Sequence, residues 1–406
     1  MQPLKNAFSR YRDVIIYGIL AVAVGAAVGV AETLFGMGLE LVSEIRDKHI
    51  AVFLPFLPLA GVLIVFAYTR IGKNSIKGMF LLFSVRFGEE DKIPARLIPL
   101  VIVSTWITHL FGGSAGREGV AVQIGGAMAH QIGRRLKVQG SSRILLITGM
   151  AAGFAGLFQT PLAAIFFALE VFTAGFMEYA ALFPCVIAAF VSCNVSRALG
   201  FESFKFELNV ALGLDAYSVL KTLLLGVAFG VVGGLFAYCL NRSKKFFGTR
   251  INNPILRVFA MGCALSILIL LLHKGRYAGS GTNLIGASLS GGNVYPYDWI
   301  LKSLLTILTM SAGFQGGEMV PLFSIGASLG AFISPVLGMP SEFAAALGFV
   351  AVFSGATNTI LAPVFIGGEV FGYEYMPYFF IVSAAAYIFN GNKSIYPAQR
   401  VLDDVK

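Results

Sequence analysis

Uninterrupted apolar sequence is the feature that most constrains this chain. Runs at 14–35, 179–198, 217–240 and 255–273 carry few charges over the ~20 residues that a helix needs to cross a bilayer. Across all 406 residues 57% are hydrophobic and 13% are charged. A soluble domain carries about 25% charged residues, so this chain cannot cover a water-facing surface. A soluble enzyme, a DNA-binding domain and a disordered scaffold are excluded on that ground. The apolar runs are continuous and do not alternate with period two, which disfavours an outer-membrane barrel. An all-α polytopic membrane protein remains.

The 47 glycines are too many for a simple bundle. They point to close helix contacts or to helices broken inside the bilayer. Shorter apolar segments near 97–111, 118–132, 144–156, 318–333 and 345–355 hold only about 11–16 residues, less than a full crossing. Gly-bounded short segments are the pattern of broken or re-entrant helices.

The remaining polar residues add few alternatives. A net charge of +9 does not require nucleic acid, because Lys and Arg gather in cytoplasmic loops of membrane proteins. Cys185, Cys193, Cys239 and Cys263 form no CxxC pair and read as core thiols. His49, His109, His130 and His273 lack metal-ligand spacing, so neither a metal nor another cofactor is expected. Lys5, Arg10 and Arg12 precede the first run, which marks 1–13 as a cytoplasmic segment and not a signal peptide.

The chain repeats itself at a shift of about 200 residues. Segment 156–172, GLFQTPLAAIFFALEVF, matches 355–371, GATNTILAPVFIGGEVF, at eight of seventeen positions, Thr160/Thr359 and Glu170/Glu369 among them. Gly116-Arg117-Glu118-Gly119-Val120 matches Gly316-Gly317-Glu318-Met319-Val320. A unit this long is half a transporter, not a solenoid repeat. The expected division is a 14–200 half, a 201–215 linker, a 216–400 half and a 401–406 tail. Charge indicates that the halves are inverted. Loop 131–143 carries Arg134, Arg135, Lys137 and Arg143, and its counterpart 331–343 carries no Lys or Arg. The second half reverses this, with Arg242, Lys244, Lys245, Arg250 and Arg257 in 241–257. Equivalent loops therefore face opposite sides.

Inverted-repeat transporters bind substrate near the midplane, where the ends of broken helices converge. Helix N-termini present unpaired N–H groups and partial positive charge, which favour an anion. Lys77-Gly78-Met79-Phe80, Gly116-Arg117-Glu118-Gly119 and Gly316-Gly317-Glu318-Met319-Val320-Pro321 each place Gly at the mouth of an apolar segment. Backbone dipole, with little help from a basic patch, is the expected source of binding. Acids within apolar sequence are costly and are site candidates by default. Of five such acids, Glu170 and Glu369 occupy repeat-equivalent positions and read as structural. Glu32 reads as interfacial, near the end of the first span. Glu118 and Glu318 sit at the anion-facing helix starts. There a carboxylate can hold the anion's place and, once protonated, vacate it.

GGSAGREGV at 112–120 resembles the GREGP signature of the CLC family of chloride channels and chloride–proton antiporters. Gly279-Ser-Gly-Thr-Asn283-Leu-Ile resembles the family's GGGFNLI stretch. Gly316–Pro321 stands in place of GGxFAP, and Thr160-Pro-Leu-Ala…Glu170 resembles the APLAG…EE helix. Tyr396 falls at the position of the pore tyrosine. The resemblance runs from about 14 to 400 in the family's order. It implies an inverted-repeat homodimer with one pathway per subunit and Glu118 as gating and proton-carrying acid. An anion site would be built from Met79, Phe80, Gly119, Tyr396 and the backbone amides of Glu318, Met319 and Val320. The departures resemble the fluoride–proton antiporter branch. Met79 replaces a pore serine, Glu318 stands where an apolar residue is usual, and Val171 takes the place of the internal proton acid.

The resulting expectation is a multi-pass antiporter of the bacterial plasma membrane, exporting fluoride against inward protons, with Glu318 as a second proton- or fluoride-coupling acid. A chloride–proton antiporter and a passive anion channel of the same fold are the alternatives. An intramembrane enzyme is disfavoured, because no HExxH, GxSxG or His cluster accompanies the acids.

Overall fold

The computed structural model describes residues 2–136, 141–202, 204–208, 210 and 213–402, with side chains from 14 onward. Lys137 lies outside the described residues, as do parts of the expected 201–215 linker and most of the 401–406 tail.

The first half contains α1 (Gln2–Lys48), α2 (Ile50–Phe53), α3 (Leu57–Ala67), α4 (Met79–Phe87), α5 (Leu97–Leu110), α6 (Glu118–Gly133), α7 (Ser141–Phe158), α8 (Pro161–Glu170) and α9 (Leu182–Ala198). The second contains α10 (Ala216–Arg250), α11 (Pro254–Leu271), α12 (Thr282–Leu289), α13 (Asp298–Ala312), α14 (Met319–Leu337), α15 (Ser341–Thr357), α16 (Leu361–Phe371) and α17 (Met376–Ile388). Local chemistry marks many boundaries. Pro161 and Pro254 occupy first turns, where a missing N–H costs nothing. The Asn253 side chain accepts from Ile255 N and Leu256 N, and Asp215 from Ser218 N, at the starts of α11 and α10. A two-residue parallel pairing, β1 (Thr173–Ala174) with β2 (Arg400–Val401), fastens the chain's end to the first half.

Seven helical stretches among the described residues are long and apolar enough to cross a membrane. Two of them correct the sequence reading. Segments 144–156 and 318–333 extend into α7 and α14, with 18 and 19 residues, and both have crossing length. The charges of 241–257 also lie differently, because α10 runs on to Arg250 and carries most of them on its last turns. Likewise 331–343 is largely helix, not loop.

In lipid, apolar contact alone does not drive helices together, so small residues that permit close approach do. Gly125 of α6 and Gly149 of α7 face each other so closely that a Cβ on either would overlap the other's carbonyl. Gly326 of α14 and Gly348 of α15 repeat this contact. The seam between halves is made by α8 and α16. Glu170, at the end of α8, accepts from Ile360, Leu361 and Ala362 N at the start of α16, at 3.1, 3.2 and 2.7 Å. Glu369, in the last turn of α16, accepts from Leu162 and Ala163 N at the start of α8, both at 3.0 Å. Phe166 and Phe365 stack between them at 4.4 Å. An exchange in which each partner gives what it receives is the mark of a two-fold relation. It also bears out the structural reading of this acid pair.

Glu32 is not interfacial. The first helix continues to Lys48, so residue 32 lies deep within the span and is fully buried. Its carboxyl lies against Gly153 of α7, and its Cβ and Cγ against Gly156.

Candidate functional site

Two helix starts are locked together at the centre of the fold. Gly116 N donates to Gly317 O at 2.6 Å, and Gly317 N donates to Gly116 O at 2.7 Å. This two-bond bridge needs glycine on both sides. A Cβ at 116 would press Pro321, and one at 317 would lie 2.9 Å from Gly119 N. The bridge sets the start of α6 against the start of α14, and the matched sequence segments meet there.

Glu118 is the first residue of α6 and is completely buried. Its Oε2 accepts from Arg117 N at 3.3 Å, and Arg117 Nε lies 3.5 Å from Oε1. Oε1 has no hydrogen-bond partner. The carboxylate thus rests on its own helix start, loosely held. Glu318 caps α14, with its side chain 14% exposed. A Cβ at Gly119 would lie 3.9 Å from Glu318 Oε2, so the second acid sits beside the first turn of α6.

A cavity of about 360 Å3 opens next to this junction. Met79, Phe80, Glu318 and Tyr396, all expected from sequence, line it. Glu118, Gly119, Met319 and Val320 do not. Met319 and Val320 are buried in the first turn of α14, next to Glu318. Gly78, with φ +51°, turns the chain into α4 and puts Met79 at that helix's first position. Tyr396 lies on a non-helical segment tied down at several points. Asn241 Nδ2 donates to Ser394 O at 2.8 Å, Ile395 N to Ala356 O at 2.8 Å, and Gln399 Nε2 to Val171 O and Thr357 O at 2.9 Å. Its ring stacks on Phe83 at 5.5 Å and meets the edge of Phe167 at 6.5 Å.

Sequence reasoning missed several residues here. Gln123 lines the cavity, donates to Gly119 O at 3.1 Å and faces Gly78. Its place four residues after Gly119, one turn further along α6, is the available signal. Lys244 of α10 pairs with Glu318 Oε1 at 3.2 Å, and no local pattern joins positions 74 apart. Lys77 and Arg257 also line the cavity. Of these three cations, Lys77 pairs with Glu90 and Lys244 with Glu318, so Arg257 is the one with no ion pair among the described residues. Among the described residues no His, Cys, Asp and Glu cluster could hold a metal ion.

Chemically, the arrangement offers backbone N–H groups at converging helix starts, a loosely held buried acid at one and a largely buried acid at the other. It can accept a small anion stripped of water, and it can supply that anion with a proton-bearing carboxyl as hydrogen-bond donor.

Comparison with known proteins agrees with this geometry. Residues 60–391 match the family described as "Voltage gated chloride channel". A curated "Chloride/fluoride channel protein" from Pseudomonas syringae pv. tomato is 38% identical over 389 residues, 94% of this chain and 86% of that protein. A solved structure titled "Crystal structure of a CLC-type fluoride/proton antiporter" superposes with a TM-score of 0.95 at 46% identity, covering 96% of this chain and 99% of that one. A slow cyanobacterial Cl-/H+ antiporter shares the fold, with a TM-score of 0.78 at 21% identity over 94% of this chain and 96% of that one.

Proposed function

The chain belongs to the voltage-gated chloride channel (CLC) family, a family of multi-pass membrane channels and transporters, and we propose that it is an antiporter exporting fluoride in exchange for protons. The observation that carries this reading is the paired helix start, where the Gly116–Gly317 bridge sets the chain leading into Glu118 against the chain leading into Glu318, beside a cavity edged by Met79 and Glu318.

Ionised Glu118 satisfies the start of α6 and occupies the place an anion would take. Protonation removes its charge and weakens its hold on the Arg117 N–H and guanidinium, so the side chain leaves and the anion enters. Return of the carboxylate expels the anion and releases the proton elsewhere. Fluoride is the smallest, most strongly hydrated and most basic halide. Protonated Glu318 offers it a strong O–H donor in place of water, while Lys244 balances the charge of the ionised form. Val171 provides no acid of its own. Protons then follow the anion's route or one close to it.

The positive-inside pattern of 131–143 and 241–257 puts the cavity mouth, with Lys244, on the cytoplasmic side. The bacterial plasma membrane is the proposed location. A homodimer with one pathway per subunit is the proposed assembly, as the family resemblance implies. The two halves are proposed as 14–200 and 216–400.

Flux through proteoliposomes tests the reading. Fluoride and chloride are each supplied with and without a pH gradient. The expected result is fluoride movement driven by the proton gradient, with chloride much slower. Equal coupled flux of chloride would make the protein a chloride–proton antiporter. A fluoride reversal potential indifferent to pH would make it a channel.

A further inference from the structure

Lys302 of α13 is completely buried, and no step above uses it. Its Nζ donates to Ser114 Oγ at 2.9 Å, Tyr277 O at 3.2 Å and Gly279 O at 2.7 Å. Three acceptors match the three N–H bonds of an ammonium, and all three are neutral oxygens. Among the described residues no carboxylate pairs with it. The nearby acids are engaged elsewhere. Asp298 receives Arg276 at 2.7 Å and the Tyr277 hydroxyl at 2.6 Å, and Asp47 is held by Arg46 at 2.7 Å. Lysines are almost never fully buried unless paired, and a charge kept inside a membrane protein marks function by default. An ammonium held there carries a charge that no ion pair screens, in surroundings where charge is felt at a distance.

Its position connects it to both helix starts. Ser114 lies four residues before Glu118, in the loop that launches α6. Its hydroxyl meets Thr306 Oγ1 at 3.0 Å, and its N–H donates to Thr309 Oγ1 at 3.3 Å. Gly279 O, bonded by the ammonium, also accepts from Ala115 N at 3.2 Å, and Gly279 N donates to Gly113 O at 3.0 Å. Gly281, at φ +89°, has no room for a side chain. A Cβ there would lie 2.8 Å from Lys302 Cε and 2.6 Å from Ser324 Oγ of α14. The ammonium thus stands behind the loop leading into α6 and beside the second turn of α14.

We infer that Lys302 is the fixed cation that makes the junction of α6 and α14 attractive to a dehydrated anion, an affinity-determining residue that never touches the ion. The inference rests on the proposed reading that the anion resides between these two helix starts. A unit charge acting over roughly 10 Å at an effective dielectric of about 20 changes anion affinity by on the order of tenfold.

Calorimetric titration of the purified full chain with fluoride, and separately with chloride, tests it. Each variant is scored on protein that elutes as the parent does. Lys302→Met removes the charge and is expected to weaken fluoride about tenfold. Ser114→Asp leaves the lysine in place and cancels its charge with a neighbouring carboxylate. The same loss is expected, and this variant decides the matter if Lys302→Met does not fold. Ser114→Ala removes a contact and keeps the charge, so affinity stays within about twofold of the parent. Parental affinity in Lys302→Met or Ser114→Asp overturns the inference. So does a loss in Ser114→Ala as large as that in Lys302→Met, because the role would then be the contact and not the charge. A parent that binds chloride but not fluoride removes the fluoride reading instead, and the charge test is then read with chloride.

Discussion

Two pairs of helix starts in this protein use the same physics to opposite ends. At α8 and α16 the exposed N–H groups are filled by carboxylates from the far end of the partner helix, with two or three bonds each. At α6 and α14 the carboxylates belong to the helix starts themselves. Glu118 accepts one N–H at 3.3 Å and its Oε1, 3.5 Å from Arg117 Nε, accepts no hydrogen bond, while Glu318 looks outward to Lys244. An acid delivered from elsewhere and bonded several times cannot leave without opening the seam. An acid on a single side chain, bonded once, can rotate away. Repetition of the sequence made four acidic helix-start sites, and the origin of each carboxylate separates the firmly bonded pair from the pair proposed to gate.

Substitutions at these acids can break that comparison. The largest effect is expected for Glu118→Gln, which cannot alternate between charged and neutral. Uphill proton movement driven by fluoride should disappear in proteoliposomes, and retention of it would refute the gate. Glu318→Gln comes next. It keeps a donor but loses the exchangeable proton, so fluoride turnover should fall by about a hundredfold or more, the scale of losing one acid–base group. Parental turnover would show that the second acid is a bystander. Glu170→Gln presents an amide to three N–H donors and leaves buried groups unsatisfied, at a cost of about 1–3 kcal/mol. Thermal inactivation in detergent should come earlier, while the protons moved per fluoride stay unchanged. Altered coupling would erase the distinction between the pairs. The smallest effect is expected for Lys244→Gln. The half-exposed charge should shift the fluoride KM by a few-fold at low ionic strength and hardly at all in high salt. A shift that persists in high salt would mean a buried role.

Much of this was legible in the sequence because it depends on local pattern. Apolar length gave the class, the shift of 200 gave the matched helix starts, and motif order gave Glu118, Glu318, Met79 and Tyr396. The rest depends on packing between distant segments. Glu32 reads as a span end only while the first helix is taken to stop near 35, and the continuous α1 moves it to the interior. The Lys244–Glu318 pair and the burial of Lys302 follow from how α10 and α13 pack against the core, and a charge on an apolar helix carries no sign of which face it occupies. Backbone amides at Met319 and Val320 were assigned by motif position. The structure buries both residues in the first turn of α14, next to Glu318, which does line the cavity.

That an acidic side chain and the anion occupy one place in turn is tested most directly by counting protons during binding. Fluoride titration of the purified protein, repeated in buffers of different ionisation enthalpy, measures proton uptake per bound ion. Near neutral pH the parent should take up protons as fluoride displaces ionised Glu118, and Glu118→Gln should bind fluoride with that uptake removed. Fluoride binding by the parent without proton uptake, or uptake undiminished in Glu118→Gln, would contradict it.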